Sequence, residues 1–133
     1  MNHAANAYAR VAVETASPRE LEANLLLQAA AKLQAVHDSW PNRNASFHDA
    51  IHYNRKLWTV LLDSVIRDDN KLPLEVRDNL RRLGMFVMSE TVGLMTKPTL
   101  NQLKAIIKVN RGIASGLRGK QKQKQKQKKA SGK

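Results

Sequence analysis

The sequence predicts an all-α protein, a compact bundle of four to five helices followed by a disordered basic C-terminal tail. Three observations carry this. Apolar residues recur at helical spacing in four successive segments, proline or N-cap chemistry bounds each segment, and no run alternates apolar and polar residues as a half-buried strand does. A single amphipathic helix cannot bury its stripe alone, so four joined by short loops pack on one another. At 133 residues the chain suffices for one core and not for two.

The first strong helix is expected at about 18–38. Ser17-Pro18-Arg19-Glu20 combines a capping hydroxyl, proline at the first helical position and a glutamate that can reach back to the cap. Leu21, Leu25, Leu26, Ala29, Leu33 and Val36 follow at helical spacing, and Trp40-Pro41 closes the segment. A second helix is expected from Ser46, which with Asp49 resembles a capping box, to about Arg67; Phe47, Ile51, Asn54, Trp58, Leu61 and Val65 share one face. Leu72-Pro73 opens a third, carrying Val76, Leu80, Leu83, Val87 and Leu94 to about Met95. After Lys97-Pro98 the fourth carries Leu100, Leu103, Ile107, Asn110, Ala114 and Leu117, with Gly116 and Gly119 suited to its exit. Among these, Leu25, Leu33, Phe47, Trp58, Leu61, Leu80, Leu83, Val87, Leu103 and Ile107 are the expected core. The Ala-rich residues 1–15, with Tyr8, Val11 and Val13, read as a short leading helix.

The net charge of +12 is concentrated at one end. Eight of the 23 Lys and Arg residues lie between Arg118 and Lys133 with no acid among them; the other 15 face 11 acidic residues, leaving +4 on residues 1–117. The sequence thus divides into a helical domain, 1–118, and a Lys/Gln-rich tail, 119–133. Gln121–Lys129 has almost nothing apolar to offset its ordering entropy, so the tail is expected to be disordered and to offer only weak, nonspecific contact with nucleic acid.

Several function classes lose support. The absence of cysteine removes disulfide frameworks, thiolate zinc sites and thiol nucleophiles. The start of the chain lacks the pattern of a secretory leader, and no apolar run reaches membrane-spanning length; the expectation is a soluble, cytoplasmic chain without membrane insertion. His48 and His52 stand one helical turn apart, but two imidazoles do not make a metal site, and neither metal nor cofactor is expected. With no glycine-rich phosphate loop and no nucleophile elbow, the chain reads as a protein that binds another macromolecule, not as an enzyme.

Candidate binding residues stand out against the apolar stripes. Asn54 and Asn110 each place an amide inside a stripe and each precede an arginine, Arg55 and Arg111. Two readings stay open: buried amides that bond backbone or each other and fix helix register, or Asn-Arg pairs that anchor a partner. Met85, Phe86 and Met88 lie partly off the main stripe of their helix, a second apolar face that either covers the leading segment or receives a partner helix. Trp58 belongs to the core stripe, whereas Trp40 at a helix end is a plug or a contact anchor.

Ala9-Arg10-Val11-Ala12, Ser17-Pro18-Arg19-Glu20-Leu21-Glu22-Ala23, Asn54-Arg55-Lys56-Leu57-Trp58, Asn70-Lys71-Leu72-Pro73 and Asn110-Arg111-Gly112-Ile113-Ala114-Ser115-Gly116-Leu117 together resemble the FlaF family of flagellar biosynthesis regulators over about residues 5–117. The resemblance implies a small cytoplasmic helical protein needed for flagellin production and export beside a companion regulator, FlbT, and it implies no catalytic site. It leaves open a flagellin-binding chaperone, an RNA-linked regulator of flagellin synthesis and an adaptor for FlbT. A helical bundle with apolar grooves suits the amphipathic terminal segments of flagellin, which favours the first. An RNA-linked role needs a basic face on the folded body, and +4 on residues 1–117 weighs against it.

Overall fold

A computed structural model describes residues 18–131, with side chains described for 19–119. The expected leading helix, like Ser17 of the first cap, lies outside the described residues. Four helices follow: α1 (Pro18–Asp38), α2 (Ala45–Val65), α3 (Leu74–Thr96) and α4 (Leu100–Ser131). No strand occurs among the described residues. Each helix packs on its neighbours in sequence and α4 returns to α1 in the most extensive interface of the bundle, so the four form a ring with α1 opposite α3 and α2 opposite α4.

The partner residues give the directions. Arg118 bonds Asn24 and Arg111 reaches Gln34, so α4 runs antiparallel to α1. Gly84 lies against Leu62 while Arg77 reaches the Val65 carbonyl, so α3 runs antiparallel to α2. The α1 face toward the core is Ala23, Leu26, Ala29, Ala30, Leu33 and Val36, all at or below 2% exposure. Its three alanines allow a neighbouring helix to approach closely.

At the centre the polar stripe residues meet. Trp58 Nε1 donates to Asn110 Oδ1 at 2.9 Å, and Asn110 Nδ2 donates to Asn54 Oδ1 at 2.7 Å. All three residues are buried, so the chain of bonds crosses the ring from α2 to α4. Of the two readings of Asn54 and Asn110, the structure takes the one in which the amides bond each other; neither is a surface anchor. Asn54 Nδ2 is left without a partner among the described residues.

The ends are built from side chains. Asn44, not Ser46, caps α2: its Oδ1 accepts the Phe47 N–H at 3.3 Å, which starts the helix at Ala45. At the other end of α2, Asn70 Nδ2 donates to the Ser64 carbonyl, while Arg77 donates from Nε to the Val65 carbonyl and from Nη2 to the Arg67 carbonyl, each at 2.9 Å. Carbonyls at the end of α2 are thereby satisfied by the following loop and by the next helix. Thr99 and Gln102 bond reciprocally, side chain to backbone N–H, at the start of α4, a capping box inside the segment read only as Lys97-Pro98 punctuation. At the exit of α1, Asp38 sits below its ordinary carboxylate value because Gln34 and then His37 hydrogen-bond to it.

Two expectations need correction. Leu83, expected in the core, is 36% exposed, because the core stripe of α3 runs through Gly84, Val87, Thr91 and Leu94. A Cβ at position 84 would fall on the Leu62 side chain, so α2 supplies the bulk there and α3 turns its small residue inward. Leu25, Leu61 and Leu80 are half-buried; Leu33, Phe47, Trp58, Val87, Leu103 and Ile107 are buried as expected. The helix exit near Gly116 is also absent: α4 continues past it to Ser131. Gly112, Gly116 and Gly119 have no positive φ and stand in open space, so they interrupt nothing, and the Lys and Gln that follow are good helix formers.

Urea denaturation tests both points. Asn110→Leu leaves the Trp58 N–H and both Asn54 groups unpaired, whereas Asn54→Leu leaves only Asn110 Nδ2; the first variant should be less stable than the second by roughly 2–6 kcal/mol, at about 1–3 kcal/mol for each extra buried orphan. Gly116→Ala should stabilise by about 0.5–1 kcal/mol as an interior helix position, whereas a helix-terminating glycine would respond with a loss.

Candidate functional site

The face of α3 beside its core stripe is apolar and open. Met85, Met88, Val92 and Met95 recur at steps of three, four and three residues, which aligns them on one side of the helix. Met85, Val92 and Met95 are 65%, 60% and 59% exposed, and Met88 is half-buried against the core. Exposed apolar residues scattered singly are ordinary on a folded surface; a row of four is a candidate contact surface.

The row faces α2. One cleft, of about 340 Å³, lies between Met88, Thr91, Val92, Met95 and Thr96 of α3 and Arg55 of α2. A second, of about 420 Å³, continues it toward the start of α2, with Phe47, Ile51 and Leu94 beneath, Met95 and Pro98 on the α3 side, and Arg43, His48, Asp49, His52 and Arg55 on the α2 side. Arg55 and Met95 line both, so the two clefts form one trough.

The sequence candidates are distributed around this trough. Arg55, Met85 and Met88 lie in or beside it. Phe86, 43% exposed, is rotated about 100° from Met85 around the helix axis and leaves α3 on the side away from the trough. Asn54 and Asn110 are in the core, one residue before arginines that diverge: Arg55 borders α3, whereas Arg111 lies on the opposite side of the ring, in a shallow cleft with Gln34, His37, Lys104 and Lys108. The two Asn-Arg pairs therefore do not compose one surface. Val92, Met95 and Arg43 were not singled out from sequence, although the 85-88-92-95 spacing was there to be read.

His48 and His52 both stand on the trough wall. Among the described residues no three His, Cys, Asp or Glu side chains are placed to hold a metal ion. Phe47 meets the His48 ring edge to face at 5.3 Å. On the outer side of α2, Tyr53 donates to Gln28 Oε1 at 3.0 Å, and burial raises its phenol above the ordinary value. Trp40 is half-buried against the core. No helix of the described residues is long and apolar enough to cross a membrane.

The exposure pattern makes a stability test. Val92→Asp should change stability by no more than about 0.5 kcal/mol, as a surface position does, whereas Val87→Asp should cost more than about 4 kcal/mol by burying a charge at a fully covered site. Thermal melts followed by circular dichroism distinguish the two.

A family model described as Flagellar protein FlaF matches residues 4–117, which takes in α1, α2, α3 and the part of α4 that packs in the ring. No curated protein and no solved structure matches the chain. A match over that span, on a helical body that carries the quoted motifs at their places in α1, α2 and α4, settles the family: the chain belongs to the FlaF family of flagellar proteins.

Proposed function

We propose that this protein is a cytoplasmic, non-catalytic flagellin-binding chaperone, and that the α2–α3 trough takes a helical flagellin segment and keeps its apolar face from water before export. The observation that carries the reading is the open Met85-Met88-Val92-Met95 row beside Arg55 in a member of a flagellar family. Methionine suits such a surface, because its unbranched, polarisable side chain adapts to a guest. An amphipathic helix with apolar residues at a matching spacing fills a groove of this kind.

A second reading, contact with RNA in the regulation of flagellin synthesis, has an observation of its own. α4 carries no acidic residue from Leu100 to Ser131, and Lys104, Lys108 and Arg111 share its outer side near His37. Phosphate contacts of this type bind without reading sequence, so they fit an accessory role better than messenger selection. Adaptor contact with FlbT would use helix faces as flagellin binding does, without preference for unassembled flagellin.

Calorimetry with purified monomeric flagellin tests the main reading. Wild-type protein should bind, and Val92→Asp should weaken binding at least about tenfold, a loss of roughly 1.4 kcal/mol, while the helical spectrum stays native. No binding by the folded wild type, or equal binding by the variant, would remove the trough from the mechanism. Pull-downs with and without nuclease then separate FlbT from RNA as the partner.

A further inference from the structure

Resting on the reading of the trough as a helix-docking site, we propose that it selects by charge: its guest is an amphipathic helix that carries Asp or Glu along the flank facing α2. The two walls of the trough differ in kind. The α3 side is Met88, Val92 and Met95, while the α2 side presents Arg43, His48, His52 and Arg55 with Asp49 as the one acid.

The two arginines are uncommitted. Elsewhere on the surface Arg19, Arg67 and Arg81 each pair with a carboxylate one helical turn away, Glu22, Asp63 and Asp78. Arg55 has Ile51, His52, Trp58 and Thr59 at the corresponding positions, none of them acidic, and Arg43 lies in the loop before α2. Neither guanidinium has an ion-pair or hydrogen-bond partner among the described residues. A guanidinium can take a carboxylate through two parallel hydrogen bonds, and that pairing strengthens where an apolar guest displaces water. A basic flank would meet the same two charges with repulsion.

The positions also give a length. Arg43 lies just before the Asn44 cap of α2, and from Ala45 to Arg55 the helix rises roughly 15 Å. A guest that engages both spans at least about three turns, with acids near each end of one flank. A second copy of this chain docked trough to trough is a poorer occupant, since its matching surface offers the same unpaired arginines, with Asp49 as the one acid of the lining.

The test uses the full-length protein and two labelled synthetic helical peptides of about 18 residues, identical at their apolar positions and bearing Glu or Lys on the flanks. Fluorescence anisotropy should show the Glu peptide binding at least tenfold more tightly, with the margin shrinking as salt rises. Arg43→Glu with Arg55→Glu should reverse the preference, and Arg55→Gln should reduce it without reversal; circular dichroism establishes that each variant is folded. Equal affinity for the two peptides overturns charge selection and leaves the trough as an apolar site. If neither peptide binds, and flagellin binding is indifferent to Val92→Asp, both the selection and the trough reading fall. The chain has no cysteine, so an environment-sensitive label on Val92→Cys reports whether the trough is open before any guest is added. Solvent-like emission from the free protein supports the proposal. A buried-type emission overturns it, assigning the trough to a second copy if it depends on concentration and to residues 1–17 of the same chain if it does not.

Discussion

The buried bonds from Trp58 to Asn110 and from Asn110 to Asn54 fix the geometry on which the other features depend. Around the ring each helix packs on two neighbours through apolar side chains, and such contacts tolerate sliding and rotation better than directional hydrogen bonds do. The polar chain joins α2 to α4, which face each other across the centre. Two amides and an indole buried away from water favour meeting one another, so the rotation and register of α2 and α4 are set where the indole N–H, the Asn110 amide and Asn54 Oδ1 pair, with Asn54 Nδ2 left over. Once Asn54 and Asn110 point inward, the following residue on each helix lies about 100° around and emerges at the surface. The placement of Arg55 beside α3, and of Arg111 on the far side, follows from this lock in the core.

With α2 so oriented, α3 completes the ring in an unusual way. Its inward stripe includes Gly84 and Thr91, the latter satisfying its buried hydroxyl on the Val87 carbonyl at 2.7 Å, while Met85, Phe86, Val92 and Met95 remain exposed. Leu62 of α2 fills the space that a larger side chain at position 84 would need. The helix is instead tied down at its beginning, where Arg77 caps the end of α2. Apolar area that could have stabilised the core is left on the outside, beside a cleft, in one continuous row. Stability of the isolated chain does not account for that arrangement; the proposed contact with another apolar surface would.

The four helices were legible because their periodicity and their proline boundaries agree, and the fully buried stripe of α1 and α2 follows that periodicity closely. What sequence reasoning missed has a common cause: it ranked positions by hydrophobicity. That rule put Leu83 in the core ahead of Gly84 and Thr91, although what fits at each level depends on the side chains of the facing helix. Glycine misled in the opposite direction at Gly116, where permissive backbone was taken for a terminus and the helix simply continues. Ser46 with Asp49 forms a familiar capping pattern, yet Asn44, an equally good capping side chain two residues earlier, makes the bond that starts the helix. Asn54 and Asn110 were recognised as meaningful, but their mutual bond depends on the packing of residues far apart in sequence and could be posed only as one of two alternatives. The trough itself was half visible: Met85, Met88 and Arg55 were marked, while Val92, Met95 and Arg43 gain significance only when α2 and α3 are laid side by side.

Net charge proved the wrong level at which to read electrostatics here. Several acids of the body are held by an arginine one turn away, and such exposed pairs contribute little stability but neutralise one another locally. Of the cations without a carboxylate partner, two groups border clefts: Lys104 and Lys108 on α4, and Arg43 and Arg55 along the trough. The environments differ. On α4 the charges project from a shallow, open surface, where salt screens them and attraction alone confers little selectivity. Along the trough the arginines border an apolar floor, so a guest that covers Phe47, Leu94 and Met95 also removes water from around its bonds to Arg43 and Arg55. In the proposed docking, burial and pairing then reinforce each other, and a partner would need both an apolar stripe and a carboxylate flank to gain from either in full.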